Sequence, residues 1–415
     1  MPTLLRCLLL LSVLGLASCG SGTRLEPREV QGYAAMVDEG GQPRLWLLTR
    51  QEETRESRNP TRRGPSQRKL VLVHFDLHAF DPMTARPLWT RRVHSFKAQD
   101  GLVGPVVGAT VRGRLLGQDG DRVWLVIGRD PRALDVADGA QVDDAERIVQ
   151  RHPSLAGMLP EDPQRYGFDR GLVFMAADAS QYVLQGPEGA LAPYVPPPAP
   201  VQATGHEAAK TPLRPYGDVP LRLLEFEGRW LGLYTAAEAE DAATDPFGRH
   251  LAFPYTVIDQ GALARRGLWS GTVEEVQQFD ERFPRFTAMT PVAGSPVFLR
   301  GRFVRQPGRD EALVPPGEPG LLVWHNTRID REGRLAMTRL DAALAPAWTA
   351  ELPLSDSPSN AHLSTRTWAV GDRIIAVGEL ATTKGERVLR EVHVVSVDAG
   401  TGQFAAWNVQ QGAPP

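Results

Sequence analysis

The chain has 415 residues, 42% of them hydrophobic and 23% charged, so it is long enough to bury a large core. Its formal net charge of −3 comes from 46 basic and 49 acidic residues that interleave along the sequence. This balance argues against a nucleic acid partner, because domains that bind DNA or RNA carry a marked basic excess.

The first nineteen residues have the organisation of an export signal. Arg6 precedes an apolar run over 8–16 that is too short to span a bilayer, and the small residues Ala17 and Ser18 lead to Cys19. This L-A-S-C-G order resembles the lipobox of bacterial lipoproteins. The resemblance implies a signal peptide over 1–18, lipid on the Cys19 thiol, and a tether over 19–30. An ordinary secretory signal with an incidental cysteine is the alternative.

The sequence also carries information about location. Gly20 would be the second mature residue, where the resemblance to proteobacterial lipoproteins implies the periplasmic face of the outer membrane, since aspartate there favours the inner membrane. Cys7 and Cys19 are the only cysteines, so the mature domain has no thiol for a disulfide. No later segment contains eighteen consecutive apolar residues, so the lipid is the predicted membrane attachment.

Downstream, 40 glycines and 35 prolines separate short apolar runs, which is unfavourable for long helices. The runs are four to six residues long and rich in branched and aromatic residues, which predicts strands. They are Leu45–Leu48, Leu70–Phe75, Val123–Ile127, Leu172–Met175, Leu221–Phe226, Leu321–Trp324, Ile374–Val377 and Val392–Val397. Short helices are predicted over Asp144–Val149 and Ala236–Ala243.

Several runs lead into a repeated turn signature. An aspartate, then small residues, then a tryptophan occur over Asp81–Trp89, Asp341–Trp348 and Asp398–Trp407, with a worn copy over Asp135–Gly139. Aspartate can accept hydrogen bonds from turn amides, and the tryptophan can pack into a core from the next strand. We therefore predict structural turns at Asp81, Asp341 and Asp398. Spacings near fifty residues are typical of repeated blades.

These turns resemble those of the quinoprotein-like, or PQQ-like, β-propellers. The resemblance implies an all-β fold over 31–415, a β-propeller of about seven (seven or eight) four-stranded blades. A pair of β-sandwiches with similar turns is the alternative. PQQ-dependent dehydrogenases hold their quinone against a vicinal disulfide, which this chain lacks, so no cofactor is predicted. Polar or proline-rich segments over 50–69 and 190–220 are predicted to be long loops.

One segment has residue types suited to metal chemistry. On a strand, His74, Asp76 and His78 project from one face and could present two imidazoles and a carboxylate to Zn²⁺ or Fe²⁺. Their outer members would lie about 13 Å apart, too far to share an ion without a bulge. We therefore predict a polar strand face that lines a channel, with no catalytic residue and no metal.

Taken together, the sequence predicts a lipid-anchored, non-catalytic protein of the bacterial envelope. Its propeller would be a scaffold that binds another envelope protein or a polymer, with the membrane contacted through lipid on Cys19. The alternative is a periplasmic metal-dependent hydrolase or lyase with its site at the mouth of the propeller channel, built on His74, Asp76 and His78.

Overall fold

A computed structural model gives the structure of the protein. It describes residues 23–57, 67–97, 111–196, 223–236, 265–278, 281–306, 312–330, 332–356, 366–384 and 387–411. These residues form a mostly β structure of antiparallel sheets, with one short α-helix. Within these ranges, no helix is long and apolar enough to cross a membrane. Cys19, the signal peptide and most of the predicted helix over Ala236–Ala243 lie outside the described residues.

The first sheet, meander 1, contains six strands, and three of them share one edge of β4. β1, β2 and β3 pair in succession along that edge, so together they act as one interrupted inner strand. β5 and β6 follow on the other side of β4. The strands are β1 (Thr23–Leu25), β2 (Glu29–Val30), β3 (Ala35–Glu39), β4 (Gln42–Ser57), β5 (Gln67–Phe80) and β6 (Pro87–Lys97).

This sheet corrects two expectations. The tether predicted over 19–30 is strand at 23–25 and 29–30, and the loop predicted over 50–69 is strand at 50–57 and 67–69. Thr23 pairs with Arg55, and Leu25 pairs with Glu53. Polar residues are compatible with these strands because pairing uses backbone groups, and the N-terminal segment supplies partners for the polar end of β4.

Meanders 2 and 3 are four-stranded antiparallel sheets with strands in chain order. Meander 2 contains β7 (Gly113–Asp119), β8 (Arg122–Ile127), β9 (Asp130–Asp135) and β10 (Gln141–Asp144). Helix α1 (Ala145–Arg151) follows where a helix was predicted, and the Asp144 side chain caps it by accepting from the Arg147 amide at 2.9 Å. Two 3₁₀ turns, Pro153–Leu155 and Pro163–Arg165, lead to meander 3. Its strands are β11 (Tyr166–Phe168), β12 (Leu172–Met175), β13 (Gln181–Gln185) and β14 (Ala190–Pro193).

Strand β14 occupies the beginning of the loop predicted over 190–220, so that prediction is wrong for 190–193. Ala192 pairs with Val183 and Leu191 with Leu184, which shows that the first residues of this segment complete a sheet. Residues 197–220, which include Pro197 and Pro198 of the proline run, lie outside the described residues.

An eight-stranded sheet follows, and it divides into two four-stranded meanders. They are joined by two residue pairs, Arg265 with Leu299 and Arg266 with Phe298. Meander 4 contains β15 (Leu223–Phe226), β16 (Arg229–Tyr234), β17 (Arg265–Gln278) and β18 (Glu281–Pro291). Meander 5 contains β19 (Phe298–Phe303), β20 (Gly320–Asn326), β21 (Leu335–Asp341) and β22 (Pro346–Glu351).

Meander 6 completes the chain and is again a four-stranded antiparallel sheet. Its strands are β23 (Arg366–Val370), β24 (Arg373–Lys384), β25 (Arg387–Asp398) and β26 (Phe404–Asn408), followed by a 3₁₀ turn over Val409–Gln411. The described residues therefore contain six four-stranded meanders, where the sequence predicted about seven blades.

Apolar residues of neighbouring meanders pack against each other. The run at 45–48 shows how: Leu45 and Leu47 join a cluster with Val394 of meander 6, whereas Trp46 and Leu48 join a cluster with Leu125 of meander 2. Such a strand is buried on both faces, which is why its sequence is continuously apolar. Comparable clusters join meanders 2 and 3, 4 and 5, and 5 and 6.

The aspartate turns lie at one end of these sheets, which we call the turn face. Asp81 accepts from the Met83 amide at 2.9 Å, Asp341 from the Ala345 amide at 2.9 Å, and Asp398 from the Thr401 amide at 2.8 Å. The worn copy, Asp135, accepts from the Ala137 amide at 2.8 Å. Each carboxylate therefore holds a turn between the last two strands of its meander.

Two of the repeat tryptophans contact the turn of the following meander. Trp89 donates its indole N–H to the Ala137 carbonyl at 3.0 Å, and Trp348 donates to the Ala399 carbonyl at 2.9 Å. Each indole also packs against a glycine of that turn, Gly139 or Gly402, where a Cβ would lie within 3 Å of the ring. These tryptophans are half-buried and link one meander to the next, instead of lying behind their own turns.

Candidate functional site

The predicted row on β5 is buried within meander 1, on the side of the sheet where the N-terminal segment contributes Arg28. His74, Asp76 and His78 are 5%, 3% and 1% exposed, and they alternate with Phe75 and Leu77, which pack toward meander 2. Side chains two apart on a strand share a face, so the row points to the side where Phe80 joins the cluster with meander 6. The three predicted residues therefore share one buried face, and the end of that face near Phe80 meets the apolar cluster with meander 6.

His78 is held by hydroxyl groups on both sides. Its Nε2 lies 2.8 Å from Thr49 Oγ1 and its Nδ1 lies 2.9 Å from Thr90 Oγ1. Thr49 donates its own hydrogen to the Asp76 carbonyl, so Nε2 donates to Thr49 and Nδ1 accepts from Thr90. Burial lowers the pKa of His78 to about 4, and the Arg28 charge adds to this effect. The imidazole is neutral, and both nitrogens are occupied.

His74 is similarly engaged at the other end of the row. Its Nδ1 lies 2.9 Å from Ser95 Oγ on β6, and its Nε2 lies 3.2 Å from a Glu53 carboxylate oxygen on β4. A hydrogen bond from Thr23 and the contact with His74 lower the pKa of Glu53. Thr23 belongs to β1, so the N-terminal strand contributes to the environment of this histidine.

Asp76 forms the charged centre of the row. Its Oδ1 accepts from Arg92 Nε at 2.9 Å, and its Oδ2 lies 3.8 Å from Arg28 Nε. Arg92 is on the neighbouring strand β6, whereas Arg28 reaches in from the N-terminal segment. The buried carboxylate is thus compensated by two guanidinium groups, and such partners are what a buried charge requires.

All three side chains of the row have hydrogen-bond or ion-pair partners. Each member contacts Thr, Ser, Glu or Arg side chains from β4, β6 or the N-terminal segment. Among the residues that the structure describes, no group of three His, Cys, Asp or Glu side chains is placed to hold a metal ion. The three side chains are almost completely buried, and the N-terminal segment contributes Arg28 to their surroundings.

Arg28 ties the N-terminal segment to the C-terminal turn. Its backbone N–H donates to Gln410 Oε1 at 2.8 Å, and Gln410 Nε2 donates back to the Arg28 carbonyl at 2.8 Å. The Arg28 guanidinium also donates to the Gln410 carbonyl at 3.3 Å. We call this pair the terminal clasp. It joins the first and last segments of the described chain over a separation of 382 residues.

Next to the clasp lies a cavity of about 1450 Å³. Its walls come from the N-terminal segment 24–33, the 50–52 part of β4, the start of β7, the 388–392 part of β25, and Gln410. These segments lie at the opposite end of meanders 1 and 6 from the aspartate turns. We call this end the cavity face.

The cavity is lined by six arginines and five glutamates, several of them paired. Arg50, 2% exposed, contacts Glu29 at 3.3 Å and Glu52 at 2.6 Å. Arg390 contacts the buried Glu379 at 3.4 Å. The walls are therefore polar and fixed by ion pairs, and they present both signs of charge.

The wall at meander 2 is fixed by close packing and backbone acceptors. Gly32 has φ +66°, and a Cβ there would lie 2.9 Å from Arg114 Cβ, so the N-terminal segment can pass this point only as glycine. The Arg114 guanidinium donates to the carbonyls of Pro163 and Tyr166 at 2.8 and 2.5 Å. The cavity is thus bounded by three meanders. Sequence reasoning missed it because its lining comes from segments distant in the chain.

Comparisons with known proteins add little. No family model matches the chain, and no curated protein matches it. Among solved structures, extracellular domains 1 and 2 of Drosophila semaphorin 1b are similar at 9% identity over 91% of this chain and 80% of that one, with a TM-score of 0.20. A glycoside hydrolase family 32 protein from Bifidobacterium adolescentis is similar at 10% identity over 94% of this chain and 61% of that one, with a TM-score of 0.18. The WD40 domain of SCAP from fission yeast has 5% identity over 92% and 86%, with a TM-score of 0.14.

Proposed function

We propose that this protein is a lipid-anchored, non-catalytic component of the bacterial envelope, whose six meanders are blades of a PQQ-like β-propeller that binds a protein or polymer. Three features support the blade assignment. The meanders are four-stranded and antiparallel, apolar clusters join meanders 1 and 2, 2 and 3, 4 and 5, and 5 and 6, and meander 6 packs against meander 1. Trp89 and Trp348 bridge to the next turn in the same way.

The observation that carries the binding role is the contrast between row and cavity. The residues with catalytic potential, His74, Asp76 and His78, are engaged with neighbouring strands in a covered seam. The cavity, in contrast, is a concave polar surface held by ion pairs. A preformed surface with guanidinium and carboxylate groups suits an extended polar chain, such as a segment of an envelope protein or a polysaccharide.

A matched pair of glutamines tests this role. Gln164 is exposed and lines the cavity, whereas Gln403 is exposed beside the Asp398 turn. A photo-cross-linking amino acid at each position, activated in living cells, should give adducts at 164 and not at 403. Equal adducts, or none at 164, would reject the cavity as the binding surface. The adduct's composition distinguishes a protein from a polysaccharide partner.

Metal analysis of the purified protein tests the hydrolase or lyase alternative. We expect no stoichiometric zinc or iron. A stoichiometric metal lost in the His74→Gln or His78→Gln variant would favour the enzyme. Anchoring is tested by fatty-acid labelling, which should depend on Cys19; equal label in a Cys19→Ser variant would reject the lipoprotein assignment.

A further inference from the structure

Exposed apolar side chains collect at the rim of the cavity. Leu25 is 53% exposed, Val388 43% and Leu389 48%, and all three line the cavity mouth. Leu25 lies on β1, while Val388 and Leu389 lie at the start of β25. The rim therefore places three large apolar side chains from both chain ends on the cavity face, where water is an unfavourable neighbour.

The short segment between Cys19 and Thr23 limits how far the proposed lipid anchor can lie from this rim. Cys19 precedes Thr23 by four residues, so the two can be separated by at most about 14 Å. Thr23 is held against Arg55 in the β1–β4 ladder. Lipid on Cys19 would thus hold the cavity face, and not the turn face, next to the bilayer.

The polar residues around the rim are compatible with a lipid surface. Arg24 and Arg55 are exposed near the apolar side chains and can reach phosphate groups with their long stems, whereas Arg390 is exposed but contacts Glu379. Glu391 is exposed beside them, with 44% of its side chain accessible, and offsets part of that attraction. Apolar contact is therefore the main contribution expected from this rim.

We propose that the cavity face lies against the membrane, with Leu25, Val388 and Leu389 in the interfacial region of the lipid. This inference rests on the proposed lipid anchor at Cys19. It implies that a ligand reaches the cavity from the side of the bilayer, as a membrane-proximal segment or headgroup-linked polymer would. The turn face would then point away from the membrane.

Two single-cysteine probes test this orientation. The lipidated protein has no free thiol, because Cys7 leaves with the signal and Cys19 carries lipid, so a new cysteine is labelled uniquely. Leu389→Cys places an environment-sensitive fluorophore on the rim. Phe404→Cys, at a side chain 43% exposed on the turn face, is the matched control. Each protein is reconstituted in vesicles of phosphatidylethanolamine and phosphatidylglycerol that contain nitroxide-labelled lipid.

We expect the 389 probe to be quenched at least about threefold more strongly than the 404 probe, because interfacial side chains lie 5–10 Å deep in the lipid. A Leu25→Cys probe should follow the 389 probe. Equal quenching at 389 and 404 in protein shown by mass to be lipidated would overturn the orientation alone. Protein without lipid on Cys19 would overturn the anchor and the orientation together, while cross-linking from position 164 reports on cavity binding separately.

Discussion

On β5, Phe75, Leu77 and Ala79 point toward meander 2 and are completely buried, whereas His74, Asp76 and His78 point toward meander 6 and bury polar groups. The first seam joins meanders that follow each other in the chain. The second joins the two ends of the chain, and it includes the terminal clasp. Apolar contacts tolerate several arrangements, whereas buried polar groups need particular partners. The polar row therefore specifies how meander 1 meets the chain ends.

The largest effect should come from the apolar side of the strand. Phe75→Ala removes a fully buried ring that contacts meander 2, including the region of Gly113, and should cost about 3–5 kcal/mol of unfolding free energy through the cavity left behind. Urea denaturation measures the loss. Leu88→Ala, at a half-exposed position on β6, is the control and should change stability by about 0.5 kcal/mol or less. A similar loss in both variants would mean that the first seam is not a core.

The second largest loss of stability is expected at Asp76, the charged centre of the polar row. Asp76→Asn keeps the shape but removes the charge that compensates Arg28 and Arg92, and should cost about 2 kcal/mol. Asp138→Asn is the matched control, because its partner Arg91 is exposed and the pair should contribute less than about 1 kcal/mol. Urea midpoints at low salt would show the difference. If the two substitutions had equal effects, Asp76 would not anchor the seam.

His78 should make the polar side sensitive to acid. Its folded pKa of about 4 is below its unfolded value of 6.5, so the unfolded state binds more protons as pH falls through this window. Its contribution is complete above about pH 6.5 and decreases toward pH 4, and about 2 kcal/mol should be lost between pH 7.5 and pH 5. Other buried histidines also have lowered pKa values. The measurement is therefore the difference between wild type and His78→Gln, and parallel curves would contradict the prediction.

The smallest effect is expected at the bridges of the turn face. Trp348→Phe keeps an aromatic ring but loses the hydrogen bond to the Ala399 carbonyl, which should cost about 1 kcal/mol. Trp89→Phe should lose a similar amount through Ala137. Thermal or urea midpoints of the two variants provide the test. A large loss in one and no change in the other would show that the two bridges are not equivalent.

The sequence predicted the strands where burial dictates residue type. Leu45–Leu48 is a continuous apolar run, and Val392–Val397 is a mostly apolar one, because their strands are covered on both faces. The aspartate turns were also predictable, since Asp81 and Asp398 act within a few residues of themselves. Hydrogen bonds between residues that are close in the chain can therefore be predicted from the sequence.

The remaining features depend on contacts between distant segments. Nothing in the polar residues of 50–57 indicates a strand, because their partner is the backbone of residues 23–30. The tryptophan bridges were predicted as core packing, but the acceptor carbonyl lies 48 residues away for Trp89 and 51 for Trp348. The partners of the β5 row and the residues that line the cavity also come from segments distant in the chain.

The pairing of β1 with β4 has a mechanical consequence. A force directed along β1 from Thr23 would load the three residue pairs from Thr23 to Leu25 together in shear. Beyond them, the Arg28–Gln410 clasp passes part of that load to the end of meander 6. Tension in that direction would therefore be shared between the first and the last sheet of the described chain.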